Sequence, residues 1–335
     1  MTTAGHGRTP AAAPAEPRRP ISDLARVAGR ERTPARPGPG PIADSLVRQL
    51  ELVIDRRVGG QMSGDHLGRG HGNGLELDRI RPYEPGDDVR KIDWNATART
   101  LVPQVREDVP DRQLTAWLLL DHSPSMHFGT AERRKADVAE GAALVVGRFA
   151  ARRGNRLGIV TFGAGRESVT PPTGGSRGML GLLRAVASEP AEEGGGETSP
   201  ARALAVVGAI RTTPGVVVIV SDFRGPRDWI PALTEIAGRH AVVALEIVDP
   251  REESLVDVGE LTLVDPETGQ TLRVDTADRR LRASFDEAAA ADRTALAREF
   301  RRLGVRHLRL STDGPWLPAL AQGFTRTPDR TGRPA

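Results

Sequence analysis

The chain has no cysteine. That excludes a disulfide framework, thiolate metal sites and a Cys nucleophile, and it suits a reducing compartment. Aromatic residues make up only 4% of the 335 residues, so a core has to be built from Leu, Val, Ala and Ile. Lysine is nearly absent too: of 47 basic residues only Lys91 and Lys135 are lysines. With heavy use of Arg, Ala, Gly and Pro, this reads as a GC-rich coding bias, and arginine abundance then says little about nucleic acid. The formal charge of +3 is small for this length, and no recognisable nucleic-acid-binding motif is present. No apolar run approaches the roughly 18 residues of a membrane span. The amino terminus lacks the apolar core of a signal peptide. The expectation is a cytoplasmic protein of one large or two modest domains.

Residues 1–41 form a Pro-, Ala- and Arg-rich basic leader that cannot bury enough apolar surface to fold. Over residues 42–58, Ile42, Leu46, Leu50, Val53 and Ile54 recur at helical spacing, and Gly59-Gly60 stops the pattern. The glycines of residues 59–76 have the wrong spacing for a phosphate-binding loop, and an exposed flexible loop is expected there. Next, Arg81, Arg90, Lys91 and Arg99 alternate with Asp78, Glu84, Asp87, Asp88 and Asp93 around a Pro85-Gly86 turn, with Tyr83 and Trp94 among them. Such density of opposite charge fits an ion-pair clamp; a second carboxylate metal site is the alternative, against which the arginines would compete. Residues 104–109 form a further candidate strand.

From residue 114 onward, apolar strands alternate with helices. Strands are expected at 114–120, 157–162, 216–221, 241–248 and 305–310, with a short edge segment at 168–173. Helices are expected at 131–153, 177–188, 200–211, 229–239 and 278–303. Alternation of this kind means right-handed βαβ units and a parallel sheet with both faces covered. A hairpin over residues 261–274, turning through Asp265-Pro266-Glu267-Thr268-Gly269-Gln270, departs from the alternation. Residues 323–335 are a polar tail.

Ligands of such sheets bind at the carboxyl ends of the strands. One strand ends in Asp121-His122-Ser123-Pro124-Ser125, another in Ser221-Asp222-Phe223. Thr198, just before a helix, offers a further hydroxyl or serves as a cap. Asp121, Ser123, Ser125, Thr198 and Asp222 would make an all-oxygen set for Mg²⁺, or for another divalent cation such as Mn²⁺ or Ca²⁺, with Asp222 reaching it directly or through water. A phosphoryl hydrolase or transferase using Asp121 is the enzymatic alternative. Against it, such sites want a second Asp where Ser123 stands and a lysine beside the metal, and neither lysine is expected there. His127 is a candidate base, with a surface loop histidine as the plainer reading.

In this order on alternating strands and helices, these five residues resemble the metal-ion-dependent adhesion site of von Willebrand factor A-type domains. The segment containing Arg81, Tyr83, Gly86, Asp87, Asp88, Arg90, Asp93, Trp94 and Arg99 resembles the signature of the bacterial DUF58 family, as do the Asp265–Gly269 turn and Ser311-Thr312-Asp313. The resemblance covers about residues 45–322, and departs from the usual Gly-Gly-Thr by carrying Glu197 before Thr198. It implies a Rossmann-like three-layer sandwich over residues 113–322, preceded by a smaller segment at 42–112 that is structural or binds a partner. It also implies a non-enzymatic interaction module that acts with a MoxR-type AAA+ ATPase in a chaperone-like or assembly role. A client protein would then offer an acidic residue to the open position on the metal.

Overall fold

The computed structural model describes residues 38–44, 77–108, 114–151, 154–163, 167–187, 198–210 and 213–325. Most of the basic leader, most of the 42–58 helix, the glycine-rich loop and residues 326–335 lie outside the described residues.

The first described elements belong to the charged segment. Strands β1 (Leu77–Pro82) and β2 (Gln104–Asp108) pair antiparallel. Between them lies a short helix, α1 (Trp94–Thr100), whose first turn is capped by the Asp93 carboxylate. The main sheet follows. Its strands are β3 (Thr115–Asp121), β4 (Arg156–Phe162), β5 (Ser168–Gly174), β6 (Val216–Ser221), β7 (Ala241–Val248) and, after a separate hairpin β8–β9 (Glu260–Val264 and Thr271–Asp275), β10 (Arg306–Ser311). The helices are α2 (Lys135–Ala151), α3 (Gly175–Val186), α4 (Ala201–Ala209), α5 (Ile230–Ala237), α6 (Arg279–Arg302) and α7 (Trp316–Thr325).

The order across the sheet is β10-β7-β6-β3-β4-β5. All pairs are parallel except β4 with β5. Pro171 and Pro172 fall in that antiparallel edge strand, where a missing N–H is tolerated. All seven residues of β3 are buried, as expected for a strand covered on both faces. Alternate side chains feed two cores. Leu118, Leu120, Val218 and Val220 pack with residues of α2, α3 and α7; Trp117, Leu119, Val217 and Ile219 pack with residues of α4, α5 and α6. This is the expected von Willebrand factor A-like three-layer sandwich.

Three features were not anticipated. β1 carries charges at Asp78, Arg79 and Arg81 and ends in Pro82, so it lacks an apolar strand pattern. α1 is only seven residues long and begins inside the charged run. α7 contains Pro318 in its first turn, where proline is compatible with a helix.

The topology also fixes where a site can form. The chain moves outward from β3 through β4 to β5, then returns to lay β6 against the other side of β3. The crevice at such a reversal opens outside the carboxyl ends of the two strands flanking it. Here those ends are Asp121 and Ser221-Asp222, one residue past the pair Leu120 and Val220.

Candidate metal centre

Asp121 closes β3 and is almost wholly buried. Its Oδ1 accepts the Ser123 backbone N–H at 2.8 Å, and its Oδ2 accepts the Ser221 hydroxyl at 2.5 Å. The first bond folds the chain back after the strand, and the second ties β3 to β6. Ser123 and Ser125, both buried, share a hydrogen bond between their hydroxyls of 2.7 Å. A short 3-10 turn, Pro124–His127, holds them in this arrangement.

Thr198 does not act as a cap: Ser199 accepts the first helical N–H, that of Ala201, at 3.1 Å. The Thr198 hydroxyl instead donates to Glu267 Oε2 at 2.8 Å. The other oxygen of the same carboxylate, Oε1, accepts the Ser125 backbone N–H at 3.2 Å. Glu267 therefore joins the Asp121 loop to the Thr198 loop. Nothing in local sequence pattern marks that contact.

Two glycines allow the loops to approach. Gly163, just after β4 with φ +91°, lies so close that a Cβ there would sit 2.6 Å from Ser123 N and 3.0 Å from Asp121 Oδ1. At Gly225, after β6, a Cβ would sit 1.9 Å from the Thr198 carbonyl oxygen. Between them, Phe223 adopts φ +53° and packs edge-on against Trp229 and Phe300, which pins the turn that follows Asp222.

Asp222 is buried and already engaged. Its Oδ2 accepts the Lys135 ammonium at 2.6 Å, and its Oδ1 accepts the Arg224 N–H at 3.1 Å. Lys135 also donates to Glu252 Oε1 at 2.7 Å, and its side chain has no exposed surface. This corrects the expectation that neither lysine lies near the site. Local sequence pattern does not mark this contact, and the other lysine, Lys91, is exposed. Behind this pair, Asp249 binds Thr130 and Thr312, linking the ends of β7 and β10 to the loop after β3. His122 is buried and His127 half-buried, so His127 is not an exposed loop histidine.

Burial foremost, then the neighbouring Asp222 charge, push the Asp121 carboxyl up to about 7, against hydrogen bonds from Ser221 and Ser123 that pull it down. Among the described residues no group of three or more His, Asp or Glu side chains is gathered as a metal cluster. The available donors are instead carboxylate and hydroxyl oxygens, a set that fits a hard divalent ion which keeps several waters. The residues suited to hold it are Asp121, Ser123, Ser125 and Thr198. Asp222, whose carboxylate is already paired with the Lys135 ammonium, suits a role through water better than direct contact.

The Arg81–Arg99 segment is built differently. Arg81 grips Asp87 with two hydrogen bonds of 2.7 and 2.8 Å, and that guanidinium holds the Asp87 carboxyl below its ordinary value. Gly86 turns the chain at φ +113°. Asp88 accepts the Arg90 N–H, Asp93 accepts the N–H groups of Asn95 and Ala96, and Arg99 Nε donates to the Asn95 carbonyl. The Tyr83 N–H reaches the Pro103 carbonyl at 2.8 Å. Asp87, Asp88 and Asp93 thus serve an ion pair and two caps separately and do not converge on one point.

The mostly parallel six-stranded sheet with helices on both faces is a von Willebrand factor A-like fold. The family described as "Protein of unknown function DUF58" matches residues 79–295. The uncharacterized proteins Mb1516 of Mycobacterium bovis and Rv1480 of Mycobacterium tuberculosis are each 40% identical over 277 residues, 83% of this chain and 87% of theirs. The chain belongs to the DUF58 family. Among solved structures, BatB from Bacteroides thetaiotaomicron aligns over 63% of this chain and 97% of its own, with 13% identity and a TM-score of 0.38. No helix among the described residues is long and apolar enough to cross a membrane.

Proposed function

We propose that the protein is a non-enzymatic, cytoplasmic interaction module that uses a Mg²⁺ ion to engage a carboxylate, and that it works with a MoxR-type AAA+ ATPase in a chaperone-like or assembly role. What supports the metal part is the chain of contacts from Asp121 to the Ser123 N–H, between the Ser123 and Ser125 hydroxyls, and through Glu267 to Thr198. With one carboxylate and neutral hydroxyls as its protein ligands, a divalent ion keeps net positive charge and attracts an acid. The ATPase partnership rests on the family resemblance. The test is capture of the neighbouring ATPase by the full chain in Mg²⁺ or EDTA, alongside Asp121→Ala. Loss of capture in both EDTA and the variant is expected; capture indifferent to both would remove the metal from the contact.

Lys135 favours a second reading, a Mg²⁺-dependent phosphoryl hydrolase or transferase with Asp121 as nucleophile. The lysine is however sealed between Asp222 and Glu252, where it cannot meet a substrate phosphate. Ser123 also stands where a second carboxylate would act. Phosphatase turnover that disappears in Asp121→Ala would establish this reading in place of the first.

A further inference from the structure

We infer that the chain supplies its own acidic ligand to this metal site: Glu267, in the turn of the β8–β9 hairpin, completes the coordination of the divalent ion, and an acid from another protein must displace it. The inference rests on the metal-site reading above. It replaces an open position with one filled from within the same chain.

The geometry is specific. One carboxylate spans the Ser125 N–H and the Thr198 hydroxyl, which belong to the two loops that present the hydroxyl donors. A threonine hydroxyl that donates its proton to a carboxylate still has lone pairs for a cation, so the contact with Glu267 and metal ligation are compatible. The turn is built to present this side chain. Asp265 Oδ1 accepts the Glu267 N–H at 3.0 Å, Asp265 Oδ2 accepts the Thr268 hydroxyl at 2.7 Å, and the Gly269 N–H returns to the Asp265 carbonyl at 2.7 Å.

The hairpin is also attached lightly enough to let go. It forms a separate two-stranded sheet with only a small core of Leu255, Leu263 and Phe285, and most of β9 is exposed. An isolated pair of strands is marginal in water. Contacts such as those of Glu267 therefore bear on whether the hairpin stays docked.

The experiment is calorimetric titration of Mg²⁺ into the full chain, wild type against Glu267→Ala and Glu267→Gln, in sodium chloride and in sodium acetate of equal ionic strength. Wild type is expected to bind Mg²⁺ with no dependence on acetate. Glu267→Ala and Glu267→Gln are expected to bind roughly 10-fold or more weakly in chloride. Acetate should restore binding to Glu267→Ala by entering the vacated space. Amide hydrogen exchange gives a second readout: Mg²⁺ should slow exchange across residues 260–275 in wild type and leave Glu267→Ala unmoved. Wild-type affinity in Glu267→Ala, or hairpin exchange in wild type that ignores Mg²⁺, would overturn the inference and leave the metal site standing. A wild type that binds no Mg²⁺ would overturn the site reading itself, and this inference with it.

Discussion

Two regions of the folded molecule gather opposite charges, and the fold uses them in opposite ways. Around Asp121 the charges are buried: Asp121, Lys135, Asp222 and Glu252 all lie inside. Around Arg81 most of them stay near water, Asp93 being buried, and Asp87, Asp88 and Asp93 each serve a turn or a helix start a few residues away. The exposed segment also displays large apolar side chains that the buried one hides, with Trp94 69% exposed and Leu101 89% exposed. A gathering of opposite charges therefore does not by itself tell what the charges do. Burial decides it, because an unmatched charge is costly inside and nearly free outside.

The largest effect should come from Lys135. In Lys135→Met the buried carboxylates of Asp222 and Glu252 lose their shared counter-ion, and a cost of about 3–5 kcal/mol is expected in denaturant melts. Lys135→Arg should not rescue it, since a space with no exposed surface around an ammonium does not admit a guanidinium. A cost below about 1 kcal/mol for Lys135→Met would erase the contrast between the two regions.

The pH dependence of the metal-free protein comes next. The folded-state value of Asp121, about 7, lies above the ordinary 3.8, first because of burial and then because of Asp222. The folded protein thus holds this proton more tightly than the unfolded chain does. Its contribution to stability is full below the ordinary value and is lost as pH rises towards about 7. The melting temperature in EDTA should fall across that window, and Asp121→Asn should flatten the fall. Saturating Mg²⁺ at neutral pH should raise the midpoint of wild type but not of Asp121→Asn.

Glycines give a finer comparison. Gly163→Ala meets both an unfavourable φ and the Ser123 backbone, whereas Gly86→Ala, at φ +113°, has nothing within 4 Å. Strain alone at Gly86 should cost about 1–2 kcal/mol and leave Mg²⁺ binding unchanged. Gly163→Ala should cost a further 1 kcal/mol or so through overpacking and weaken Mg²⁺ measurably, because the displaced atoms belong to the Asp121 loop.

The same division explains what was legible in the sequence. β6, the apolar run Val216–Ser221, is bounded as its sequence suggests, because a strand buried on both faces is written in consecutive residues. Asp121, Ser123 and Ser125 lie together for a similar reason: all three fall within five positions at the end of one strand. Lys135 and Glu267 were not legible in this way. Lys135 falls in the first turns of the helix expected over 131–153, yet its side chain crosses to Asp222, 87 residues on. Glu267 lies in an ordinary polar turn and meets Ser125 across 142 residues. Contacts made by topology leave no local period, and only the folded sheet brings them together.

The smallest effect on stability should be at Trp94. This residue opens α1, but the cap that starts the helix comes from Asp93, and the indole projects outward. Trp94→Ala should therefore change unfolding free energy by no more than about 0.5 kcal/mol and leave Mg²⁺ affinity as in wild type. That makes it a clean partner to Asp121→Ala in the ATPase capture experiment. Asp121→Ala alters the buried site and leaves the exposed segment intact, while Trp94→Ala does the reverse without disturbing the fold. If the metal carries the contact, Trp94→Ala retains capture and Asp121→Ala loses it. Loss in Trp94→Ala alone would move the contact to the exposed segment and leave the metal site to the hairpin.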